Sequence, residues 1–94
     1  MIEWQENMER TIIVSNRSGL HARPSAMVVQ LLKDFKANVF IECGSEIVNA
    51  KSIMGLLTLG ASYKSYLKVT AEGEDAEQAL DAIANLFDSK FEEE

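Results

Sequence analysis

Hydrophobic and polar positions change period several times along the chain. Thr11-Ile12-Ile13-Val14 is β-branched throughout and stops at Ser15-Asn16-Arg17-Ser18-Gly19, whose small polar residues favour a turn. From Ala22 to about Phe35, apolar residues at Val28, Leu31, Leu32 and Phe35 recur at helical spacing. Pro24 suits the first turn of that helix, where a missing N–H costs no hydrogen bond. Residues 38–43 and 46–49 are two short runs split by Gly44-Ser45, and Val39, Ile41 and Cys43 alternate with Asn38, Phe40 and Glu42 in the manner of a hairpin. Residues 52–60 read as a two-turn helix, opened by Ser52 as N-cap and closed by Gly60, which tolerates the left-handed conformation past a helix end. Leu67, Val69 and Ala71 then alternate with Tyr66, Lys68 and Thr70, before Glu72-Gly73-Glu74-Asp75 interrupts. Ala76, Ala79, Leu80, Ile83 and Phe87 mark one apolar face of a last helix.

The predicted order is β-α-β-β-α-β-α. Each helix has one apolar stripe to bury and each strand one apolar side, and an antiparallel sheet with its helices on one face satisfies both. The expected fold is therefore α+β: an open-faced β-sandwich, four-stranded and antiparallel, with three helices on one face. The 94 residues allow one domain and no second, with residues 1–8 as an N-terminal extension and 92–94 as an acidic tail.

Composition narrows the function classes. With 47% hydrophobic and 26% charged residues the chain lies close to the average soluble globular protein, so disorder and membrane insertion are not expected. A net charge of -6 argues against a nucleic-acid or anionic-membrane binder, which needs positive surface to neutralise phosphates, and in favour of protein partners. One cysteine, Cys43, forms no internal disulfide, and with a single histidine there is no metal-ligand set. Neither a metal nor another cofactor is expected. The start Met1-Ile2-Glu3-Trp4-Gln5-Glu6 is acidic where a secretion signal would be basic, so a cytoplasmic protein is expected.

The stretch from Asn16 to Ser25 places the only histidine, His21, where a turn becomes a helix. The first N–H groups of a helix lack intrahelical acceptors and carry partial positive charge, so they stabilise an anion, a phosphoryl group included. An imidazole with an ordinary pKa of about 6.5 is largely neutral near pH 7 and attacks phosphorus without a separate base. Arg23 and Arg17 could pair with the phosphoryl oxygens. The commoner role of a lone histidine is a cap or an exposed side chain, and local chemistry alone does not displace it. Arg23 reads equally as a solvated arginine, although a cation in a first turn opposes the positive helix end.

Gly19-Leu20-His21-Ala22-Arg23-Pro24 resembles the active-site signature of HPr, the histidine phosphocarrier family of bacterial phosphotransferase systems. A second segment, from Val48 through Asn49-Ala50-Lys51-Ser52-Ile53-Met54-Gly55-Leu56-Leu57 to Gly60, resembles the family's regulatory-serine motif. The resemblance spans residues 9–91, and the family's order of elements agrees with the one read from periodicity. It implies phosphorylation of His21 at Nδ1 by phosphorylated enzyme I, charged from phosphoenolpyruvate, then transfer to EIIA-type acceptors, with Arg23 as the active-site arginine. It also implies a stoichiometric monomeric carrier rather than an enzyme. Ser52 matches the serine modified in some members by HPr kinase/phosphorylase; by itself it is also an ordinary N-cap, and the two roles are compatible. Ile53, Met54 and Leu57 match an apolar docking patch, with Arg17 and Lys51 as its charged neighbours, although helical spacing equally suits core packing.

Two features depart from the family pattern. The extension containing Trp4 has no counterpart, and the C-terminal Leu86-Phe87-Asp88-Ser89-Lys90-Phe91-Glu92-Glu93-Glu94 is more similar to NPr, the nitrogen-related paralogue. The rival reading is accordingly a regulatory phosphoprotein acting on kinases or a transcriptional regulator instead of feeding sugar transport. A metabolic enzyme is the weakest reading, since no acid–base pair or cofactor loop is present.

Overall fold

A computed structural model describes residues 7–92. The elements are β1 (Asn7–Ile13), α1 (Ala22–Leu32), β2 (Asn38–Cys43), β3 (Glu46–Asn49), α2 (Ile53–Leu59), β4 (Tyr66–Glu72) and α3 (Ala76–Asp88), followed by a short turn of 3-10 helix at Lys90–Glu92. The strands form one antiparallel sheet in the order β1-β4-β2-β3, and the three helices cover one face, so the expected open-faced sandwich is the fold. Trp4, with the rest of residues 1–6, and Glu93 and Glu94 of the acidic tail lie outside the described residues.

Alternation along each strand decides what is buried. Ile12, Val39, Ile41, Leu67, Val69 and Ala71 point into the core and meet Val28 and Leu32 of α1, Leu56 of α2, and Ala79, Leu80, Ile83 and Phe87 of α3. On the uncovered side, Lys68 lies between Glu9 and Glu42 at 3.8 and 4.0 Å, cross-strand ion pairs of an exposed face that add little to stability.

Two boundaries differ from the sequence expectation. The first strand begins four residues before Thr11, and Asn7 and Met8, the end of the expected extension, pair with Glu72 and Ala71. Its polar half shows no β-branched run, so the partner strand rather than local propensity fixes its length. The first helix stops at Leu32 and not at Phe35, because the amides that would continue it are engaged elsewhere. The Phe35 N–H donates to the Leu32 carbonyl at 3.0 Å, and the Lys36 and Ala37 N–H groups donate to the two carboxylate oxygens of Asp75, each at 2.8 Å. Phe35 keeps a half-buried place against the core from outside the helix.

Candidate functional site

The segment between β1 and α1 is anchored at Val14, Asn16, Gly19 and Leu20. Val14 is fully buried; its N–H donates to the Ser65 carbonyl at 2.9 Å and its carbonyl accepts from the Lys64 N–H at 2.8 Å, which ties the segment to the loop before β4. Asn16 is buried, its Nδ2 donating to the Gly19 carbonyl at 2.9 Å while the Gly19 N–H donates to the Asn16 carbonyl at 3.1 Å, closing a tight turn. Gly19 sits at φ +70, and a Cβ there would lie 2.5 Å from the Ala61 carbonyl oxygen. Only glycine allows the next residue, Leu20, to bury its side chain and donate its N–H to that same oxygen at 2.9 Å. Past the histidine, Pro24 and Ser25 are buried, with the Ser25 N–H on the His21 carbonyl at 3.0 Å and the Ser25 hydroxyl on the Leu20 carbonyl at 3.3 Å.

His21 is thus the N-cap of α1, with extended backbone and an exposed side chain that makes no capping bond to the helix it precedes. Its backbone is fixed by buried neighbours on both sides, so the imidazole is presented from a rigid support. It lines a shallow recess with Ser18, Leu20, Ala22, Leu57, Gly60, Ala61 and Ser62, where the loop meets the C-terminal end of α2.

The other expected site residues divide. Leu57 shares the His21 recess, and Ile53, Met54 and Leu57 are 41%, 72% and 40% exposed, whereas Leu56 is fully buried and Leu59 packs half-buried against the core. Gly55 allows the helix to lie close on β3, since a Cβ there would meet the Val48 side chain at 3.3 Å. Ser52 caps α2, its hydroxyl oxygen accepting the Gly55 N–H at 3.0 Å, and Gly60 closes the helix at φ +55. Lys51 extends the other way: its Nζ donates to the Phe35 carbonyl at 2.7 Å, beyond the C-terminal end of α1. Arg17 is exposed at the turn before the histidine. Arg23 lies along a different groove, between α1 and Leu86 of α3, and its Nη1 donates to the Phe91 carbonyl at 3.1 Å.

That last contact was not foreseen from sequence. Phe91 is fully buried, edge-on to Phe87 with centroids 4.8 Å apart, although the backbone from Lys90 to Glu92 is left-handed at φ 56, 54 and 60. No glycine relieves this turn, and each such residue costs on the order of 1 kcal/mol or more, a cost that ring burial offsets. An aromatic four residues after Phe87 was the available signal. Charge was another: residues 10–33 and 47–71 contain Arg10, Arg17, Arg23, Lys33, Lys51, Lys64 and Lys68 and no carboxylate. The segments that build the site are cationic within an acidic chain. Among the described residues there is no cluster of metal-ligating side chains and no helix long and apolar enough to cross a membrane.

The family model for the PTS HPr component phosphorylation site matches residues 8–89. The chain belongs to the HPr family. A phosphocarrier protein HPr of Treponema pallidum is 45% identical over 85 residues, 90% of this chain and 97% of the relative. The crystal structure of an HPr from Thermoanaerobacter tengcongensis superposes with a TM-score of 0.89 at 46% identity, covering 93% of this chain and 98% of that one. The phosphocarrier protein NPr of Shewanella violacea is also similar, at 37% identity over 92% of this chain and 94% of the relative. The protein is thus a phosphocarrier of a phosphotransferase system, and the likeness to both HPr and NPr leaves its pathway to be argued from the site.

Proposed function

We propose that His21 is the residue that carries the phosphoryl group. The observation that carries this reading is the exposed imidazole at the start of α1, set between buried Leu20, whose N–H is bonded to the Ala61 carbonyl, and buried Pro24 and Ser25. In the tautomer with its proton on Nε2, the Nδ1 lone pair forms the new N–P bond as the donor's bond to phosphorus breaks, and that electron pair leaves with the donor. The donor is phosphorylated enzyme I and the acceptor an EIIA-type protein, by the same exchange in reverse. Little covalent help is required beyond alignment and charge stabilisation. The first-turn amides of α1 and the guanidinium groups of Arg17 and Arg23 supply the charge stabilisation, and the recess shared with Leu57 supplies the alignment.

Partners dock on the apolar side of α2, where Ile53 and Met54 are exposed beside Leu57, with Arg17 meeting acidic groups. Ser52 is a regulatory site for an HPr kinase/phosphorylase. A phosphate on its hydroxyl adds roughly two negative charges beside that patch and weakens docking without unfolding a helix whose N-terminus tolerates anions. Lys51 serves this face from behind, by fixing the approach to α2 through the Phe35 carbonyl. The carrier acts as a cytoplasmic monomer, and sedimentation of the phosphorylated and free forms would expose a dimer.

The second reading, a regulatory phosphoprotein of a nitrogen-type system acting on a kinase or transcriptional regulator, draws on the NPr likeness and on the same histidine chemistry. One experiment tests the shared core: intact mass after incubation with enzyme I and phosphoenolpyruvate, with an acid step. An added phosphate that acid removes and that His21→Ala lacks supports the carrier. Its absence from the wild type, with an enzyme I active on another carrier, defeats it. Transfer from the charged protein to sugar-type against nitrogen-type EIIA separates the two pathways.

A further inference from the structure

One rim of the His21 recess carries a lysine at a position where the backbone favours glycine. Ala61 and Ser62 line the recess, and the next two residues, Tyr63 and Lys64, are the corner of a turn closed by the Ser65 N–H on the Ser62 carbonyl at 3.0 Å. Lys64 takes φ +73 at the third position of that turn, where a Cβ is strained and glycine is not. Its N–H donates to the Val14 carbonyl at 2.8 Å, a bond that glycine would make equally well. The side chain is exposed, with Nζ 5.4 Å from the centroid of the Tyr63 ring, itself 42% exposed. No carboxylate among the described residues lies within ion-pair distance of it. An exposed cation–π contact is weak and does not by itself account for a lysine in this place.

We propose that Tyr63 and Lys64 form a second docking contact, which takes an acidic segment of the phosphoryl donor and adjoins the recess through Ser62 as the α2 patch adjoins it through Leu57. The inference rests on the reading of His21 as phosphoryl acceptor, since only then must a donor cover the recess and meet its rim. Charge selects the chemistry of that partner: residues 47–71 hold Lys51, Lys64 and Lys68 and no carboxylate, in a chain of net charge -6, so an acidic segment is attracted here and repelled elsewhere. The tyrosine supplies apolar area that a partner buries, and the ammonium beside it supplies orientation and speed of encounter. A neutral imidazole leaves that attraction intact, whereas a phosphoryl dianion on His21 repels the same acidic segment. The contact therefore favours arrival of the donor before transfer and its departure afterwards.

Titration calorimetry of the full, unphosphorylated chain with enzyme I reads docking without phosphoryl transfer. Lys64→Gln, which keeps a long side chain on the strained backbone but loses the charge, should raise Kd about three- to fivefold at about 0.05 M salt and by less at about 0.5 M. Lys64→Arg should bind as the wild type does. Lys64→Gly separates docking from folding: its urea midpoint should be no lower than that of the wild type, because the strain is relieved, while its Kd rises as for Lys64→Gln. An unchanged Kd for Lys64→Gln overturns the proposal, and so does a Lys64→Gly variant less stable than the wild type, since the lysine would then serve the fold. The two possible failures are distinct. A wild type that binds enzyme I but takes no acid-labile phosphate from it with phosphoenolpyruvate sinks the reading of His21, whereas equal Kd values in a wild type that does charge sink this contact alone.

Discussion

Two helix starts in this protein carry a side chain that phosphorylation could modify, and they are built in opposite ways. At α2, Ser52 spends its hydroxyl oxygen on the Gly55 N–H at 3.0 Å, so the group that would be modified also holds the helix. At α1, His21 makes no capping bond, and the helix start is held by its neighbours through buried Leu20, Pro24 and Ser25. A carrier must load and unload without cost to its fold, which the second arrangement permits. A regulatory residue can afford to be part of the fold it modulates, because its modification is meant to change behaviour.

The sharpest way to break this comparison is to remove the imidazole. His21→Ala should abolish acid-labile phosphorylation entirely while leaving the urea midpoint close to wild type, since the side chain is exposed and caps nothing. A large loss of stability in this variant would mean that His21 does structural work after all, and the contrast with Ser52 would fall.

The next effect is on the support beneath the histidine. Gly19→Ala places a Cβ 2.5 Å from the Ala61 oxygen and forces a side chain into φ +70, so it should destabilise the protein by about 2–3 kcal/mol and slow phosphoryl acceptance as the loop moves. Denaturant unfolding paired with the initial rate of charging by enzyme I reads both, and a stable variant with a normal rate would show that the loop does not position His21.

Ser52→Ala comes third. Losing the cap should cost about 1 kcal/mol in denaturant unfolding and leave charging at His21 within experimental scatter. If the charging rate fell as far as it does for Gly19→Ala, the two helix starts would not be independent.

How much of this was legible beforehand follows from what each feature depends on. β2, β3, α2 and β4 could be read from residues within a few positions of one another: the Gly44-Ser45 break, the Ser52 cap, the Gly60 stop, and the alternation of Leu67, Val69 and Ala71. The start of β1 and the end of α1 could not, because distant groups set them: β4 pairs with Asn7 to Arg10, and the Asp75 carboxylate takes the amides past Leu32. The site divides in the same way. His21 before Ala22-Arg23-Pro24 was visible as a histidine at a helix start, and Leu57 reached the same recess through the fold. The hold of Phe91 on Arg23 spans 68 positions and runs through a main-chain carbonyl, so the spacing of Phe91 from Phe87 points to a buried ring but not to the bond.

Asp75 gives the smallest effect and sharpens the comparison with a third helix start. It stands at the N-cap of α3 but makes no capping bond there; its carboxylate reaches across to the Lys36 and Ala37 amides. The Lys36 hydrogen bond is the main influence holding its pKa below the ordinary 3.8; partial desolvation opposes it, and the Ala37 bond and the Lys51 charge add to the lowering. A carboxylate whose folded pKa is depressed contributes stability that is present in full above its unfolded pKa and is lost as pH falls through the folded one. Asp75→Asn keeps one amide acceptor but turns an N–H2 group toward the second donor, so it should lower the urea midpoint at pH 7. Its deficit against the wild type should shrink as pH falls below 3.8, because the wild-type carboxyl is then losing the same interaction. Urea midpoints of both proteins at pH 7, 4 and 2.5 measure this, and a deficit constant across that range would place the role of Asp75 in its shape and not in its charge.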